Sequence, residues 1–145
     1  MNVPMGPVML HTYASDFLSA ATLSVRTDVP FSPARTYLIC HALELALKAF
    51  LSLKGRPLRE LAGGELGHNL ENLLDEAEQQ GLSDLVQLEE PQIAEIRRAS
   101  KYYAEKIFEY PALMEAPRAY PENPDANLLF GAAEALVAAL QEPCE

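Results

Sequence analysis

Between Tyr37 and Lys54 the chain reads YLICHALELALKAFLSLK, and its only polar members are His41, Glu44, Ser52 and the lysines Lys48 and Lys54. His41, Glu44, Lys48 and Ser52 follow one another at intervals of three, four and four residues. On an α-helix they therefore form one narrow polar stripe, with apolar side chains around the rest of the circumference. A helix with so thin a polar face has to be wrapped by other helices. This segment constrains the architecture more than any other, and it predicts an all-α protein.

A chain of 145 residues suits a single domain spanning 1–145. Apolar residues make up 49% of it, enough for a sizeable core. The strictly apolar runs fall well short of the roughly 18 residues a membrane helix needs. The N-terminal MNVPMGPVML has no basic residue and is interrupted by prolines, unlike a secretory signal. No membrane partner is expected. Cys40 and Cys144 have neither metal nor redox spacing and read as separate thiols, Cys144 in a tail expected to fray. A reducing, cytoplasmic location fits.

Net charge is −10, and its distribution is uneven. Ten acidic residues and no Lys or Arg lie between Glu60 and Glu95, whereas Arg97, Arg98, Lys101 and Lys106 follow with only Glu105 among them. Overall acidity opposes non-specific nucleic-acid binding, since phosphate contacts need surplus cations. A local basic patch remains compatible with it.

Five main helices are expected. The first runs from about Val8 to Arg26, with an apolar stripe of Leu10, Tyr13, Phe17, Ala20, Ala21 and Ser24 or Val25. Ser32 is a good N-cap and Pro33 suits the first position of the second helix, which reaches Lys54 before Gly55 and Pro57 stop it. Gly55 to Gly67 reads as a connector. The third helix starts near His68 and Asn69 and ends before Gly81, with Leu70, Leu73, Leu74 and Ala77 inward and an acidic outer face. Ser83 to Leu88 suits a short helical turn. The fourth helix opens at Pro91, carries Ile93, Ile96, Ser100, Tyr103 and Ile107, and ends at or before Tyr110 because Pro111 disfavours helix there. Pro111 to Pro124 is a proline-rich loop. Asn123 or Asp125 caps the fifth helix, Ala126 to Gln141. No run alternates apolar and polar residues in the manner of a strand. Short connectors make successive helices antiparallel neighbours, so the expected fold is an antiparallel up-and-down bundle of four to five helices.

The strings HALELALKAFLSLKG and GHNLENLLDEAEQQGL, with KYYAEKIFEYP further on, resemble the HEPN superfamily (higher eukaryotes and prokaryotes nucleotide-binding domain). Ala42, Glu44, Lys48 and Ala49 match its A-x-E-x-x-x-K-A second helix, and Gly67, His68, Asn69 and Leu70 match the Gly-His element that follows. The similarity covers roughly Leu38 to Pro111. It implies a HEPN-like bundle, commonly homodimeric. Many active relatives are metal-independent ribonucleases using a late R-x(4–6)-H motif, with the two copies meeting across the dimer. No histidine follows His68 here, so that pair has no counterpart. The resemblance then implies a non-catalytic HEPN-like interaction or regulatory module, with a nucleotidyltransferase-like partner and a place in toxin–antitoxin or defence systems. The alternative is a divergent ribonuclease or nucleotide-binding protein.

Candidate site residues fall into three groups. Arg35 and His41 have the R-x(5)-H spacing, but six residues place them about 240° apart around a helix. His41, Glu44 and Lys48 read either as a proton-transfer or small-molecule site or as a network satisfying the one polar edge of a buried helix, with Glu44 and Lys48 paired at i, i+4. His68 and Asn69 open a helix, where an anion or a simple cap would fit. Arg97, Arg98, Lys101 and Tyr102 beside Tyr103 combine cations with rings that would stack RNA bases or a nucleotide. The competing reading pairs those cations with the acidic third helix, buries Tyr103 and leaves Tyr102 at an interface. His11, His41 and His68 lack metal-ligand spacing, and no phosphate loop, G-x-G-x-x-G or Ser-His-Asp order appears, so neither metal nor cofactor is expected.

Overall fold

A computed structural model describes residues 5–63, 66–106, 108–109 and 123–145. Among the described residues there are seven helices and no strand: α1 (Met5–Leu23), α2 (Pro33–Leu53), α3 (Leu58–Leu61), α4 (Leu70–Gln79), α5 (Leu82–Leu85), α6 (Glu90–Ala104) and α7 (Ala126–Leu140). The all-α class is as expected.

Three helix starts follow from side-chain caps. Ser32 accepts a hydrogen bond from the Arg35 amide, Asn69 from the Asn72 amide, and Asp125 from the amides of Asn127 and Leu128. The start of α6 adds a capping box not foreseen from the chain: Glu89 and Gln92 satisfy each other's backbone amides. Gly55 (φ +97°) and Gly81 (φ +92°) adopt the left-handed conformation after α2 and α4.

Several boundaries move. α1 starts three residues earlier than expected and stops before Ser24, while Arg26 lies in the following turn, paired with Asp28 at 2.5 Å. The buried face of α1 is His11, Ala14 and Ala21 with Phe17 and Leu18 beside them, so Tyr13 turns outward at 53% exposure. The cause is the neighbour: α1 lies along α2, where small Ala14 and Ala21 permit close approach and a tyrosine ring does not fit. The expected connector after Gly55 contains α3, whose Leu61 enters the core. α6 ends at Ala104, and Lys106 then takes a positive φ of 60°. Ile107, Tyr110 and the expected loop over residues 111–122 lie outside the described residues. Cys144 does not fray: it is 4% exposed and its amide donates to the Leu140 carbonyl at 3.0 Å. Both cysteines are buried and free.

α2 occupies the centre, packed against α1, α4, α6 and α7. Ile39, Leu43, Leu47 and Leu51 are completely buried on it. By length and composition alone α2 is apolar enough to cross a membrane, yet 72% of that stretch is buried within the protein. Each large side chain of this kind contributes about 1.5–3 kcal/mol on burial, far more than the surface ion pairs around it. The same packing takes Glu44 and Lys48 out of water, at 2% and 6% exposure. It thereby sets up the polar site.

Candidate functional site

Two buried charges on an apolar helix need partners within reach. Glu44 finds three. Its Oε2 accepts from Lys48 Nζ at 2.7 Å, one helical turn along α2. Its Oε1 accepts from the Tyr103 hydroxyl of α6 at 2.5 Å and from His68 Nδ1, in the turn before α4, at 2.8 Å. His41 Nδ1 stands 3.7 Å from the same Oε1 but only 2.7 Å from the Tyr103 oxygen.

The protonation pattern follows from these partners. The carboxylate can only accept, so the Tyr103 proton points to Glu44 and the phenol oxygen receives the Nδ1 proton of His41. The result is a hydrogen-bonded chain His41–Tyr103–Glu44–His68 that joins α2, α6 and the approach to α4. Burial on its own would push the Glu44 carboxyl up. The His41 imidazole at 3.7 Å, with hydrogen bonds from His68, Lys48 and Tyr103, outweighs it and brings the value from 4.5 down to about 2. Burial and the neighbouring Glu44 charge drive the Tyr103 phenol far up, which keeps its proton in place. Burial likewise raises the Cys40 thiol, so it stays protonated.

Aromatic rings hold the imidazoles. Tyr37 stacks on His41 (5.7 Å, 8° between planes) and Phe17 meets it edge-on at 4.4 Å. His68 meets Tyr103 edge-on at 6.1 Å. Its own position is fixed by the cap beside it, since the Asn69 amide donates to the Leu66 carbonyl while its side chain caps α4.

The remaining candidates are dispersed. Arg35 donates its Nε to the Ala21 carbonyl at 3.3 Å and lies over the Phe130 ring, whereas His41 belongs to the Tyr103 network. The R-x(5)-H pair thus has two separate sets of partners, as the turn of the helix requires. Asn69 is a cap, and its Oδ1 is 3.4 Å from the Ser100 hydroxyl, which in turn accepts from the Glu71 amide. Arg97 bridges to Asp75 at 2.7 Å, with Glu71 and Glu78 at 3.5 Å, so it ties α6 to the acidic face of α4. Arg98 pairs with Glu95 at 2.9 Å and donates to the Asn123 carbonyl. Lys101 is exposed. Tyr102 is neither a stacking platform nor an interface residue: it is 5% exposed and stacked on Phe108. Arg97 and Arg98 are held by carboxylates and Tyr102 is buried, which explains why this cluster in the chain does not combine free cations with open rings.

Two members of the network escape a reading of the chain alone. Tyr103 reads as core, and nothing in its helical spacing shows that its hydroxyl joins His41 to Glu44. His68 reads as a helix opener, although its imidazole reaches across to α2. Among the described residues no three His, Cys, Asp or Glu side chains converge on a metal-sized position. A cavity of about 600 Å³ lies between the α1–α2 turn and the start of α7, near Arg26, Phe31, Arg35 and Asp125. The helix starts there are already capped by Ser32 and Asp125. A smaller one of about 120 Å³ opens beside His68. Comparison with protein-family models, with characterised proteins and with solved structures gives no match for this chain.

Proposed function

We propose that this chain is a HEPN-like helical domain that acts as a homodimeric interaction or regulatory module without the ribonuclease pair of its active relatives. One observation carries the proposal: Glu44 and Lys48 of the A-x-E-x-x-x-K-A segment and His68 of the Gly-His segment, 24 residues further on, meet in one buried network. Two motifs that are separate in the chain thus have a joint physical reason to occur together. The helix arrangement supports the same reading. Arg35 at the start of α2 reaches Ala21 near the end of α1, and Gly6 near the start of α1 sits against Ser52 near the end of α2, an antiparallel pair.

Homodimerisation is supported by the outer face of α1. Val8, Tyr13 and Leu23 are exposed there, Leu23 at 88%, and Asp16 is the only Asp, Glu, Lys or Arg in the helix. Thr12, Asp16, Ser19 and Thr22 are exposed beside them, so the face is mixed and has a single charge to desolvate against another chain. A cytoplasmic setting, a nucleotidyltransferase-like partner and a role in a toxin–antitoxin or defence system extend the proposal through the family resemblance.

Light scattering at high micromolar concentration tests it. A dimer that Leu23→Asp converts to monomer is expected, and a strict monomer counts against the proposal. Incubation with mixed RNA in the presence of a chelator tests the catalytic side. No cleavage is expected, and cleavage lost in His41→Ala would restore the ribonuclease reading.

A further inference from the structure

We draw no further inference here: the strongest candidate, the cavity of about 600 Å³ between the α1–α2 turn and the start of α7, rests on two helix N-termini already capped by Ser32 and Asp125, with Arg26 paired to Asp28 and no second observation that points to a ligand.

Discussion

The Tyr103 hydroxyl lies 2.5 Å from Glu44 Oε1 and 2.7 Å from His41 Nδ1, so one phenol serves as donor to a buried carboxylate and acceptor from an imidazole. Tyr103→Phe removes both bonds while keeping the ring. It leaves an imidazole N–H and one carboxylate lone pair short of a partner, at a cost of about 1–3 kcal/mol. Urea unfolding at neutral pH should show that loss as a lower midpoint with an unchanged slope. An unchanged midpoint would mean that water replaces the phenol fully.

The depressed Glu44 carboxyl makes a prediction about acid. Its value is about 2 in the folded protein against 4.5 for an ordinary glutamate. A folded value below the unfolded one means stability that is fully present above pH 4.5 and lost as pH falls towards 2. The difference corresponds to roughly 3 kcal/mol. Unfolding free energies measured from pH 6 to pH 2 should fall across this window, and in Glu44→Gln the fall should be shallower by about that amount. Equal slopes for the two proteins would place the acid sensitivity elsewhere.

The helix starts at Ser32, Asn69 and Asp125, the buried rod and the acidic outer face of α4 are legible in the chain, because each depends on neighbours within a turn or two. Ser32, Asn69 and Asp125 cap the residues two or three positions on, and the stripe of His41, Glu44 and Lys48 follows from helical spacing alone. What is illegible depends on elements far apart. His68 and Tyr103 are 24 and 59 residues from the carboxylate they bind. Tyr13 looks apolar enough to face inward, yet only the packing of α1 on α2 decides that Ala14 does so instead. Arg97, Arg98 and Tyr102 look like one patch until the carboxylates of α4 and Glu95 take up the cations and the core takes Tyr102.

Leu47 and Leu23 test the contrast between rod and rim. Leu47 is completely buried on α2 and Leu23 is 88% exposed at the end of α1. Leu47→Ala should destabilise by about 2–5 kcal/mol through lost burial and a cavity. Leu23→Ala should stay within about 0.5 kcal/mol. Thermal melts at low micromolar concentration distinguish them, and similar shifts for both would contradict the packing described.

Gly55 closes α2 with φ +97°, and an added Cβ there would meet nothing within 4 Å. The cost of Gly55→Ala is thus conformational, about 1–2 kcal/mol. Gly55→Asn should recover part of it, since asparagine tolerates this region better. Chemical denaturation of the two variants should rank them in that order, and equal stability for glycine and alanine would remove the left-handed cap from the account.

His11 donates its Nε2 proton to the Val137 carbonyl, a bond of 2.9 Å between residues 126 positions apart. It latches α1 to α7 across the bundle. During synthesis the ribosome must deliver α7 before this latch can shut, so α1 waits with one flank uncovered for most of translation. Nascent chains stalled short of residue 137 should accordingly be easier for a protease to nick within α1 than chains carried beyond it.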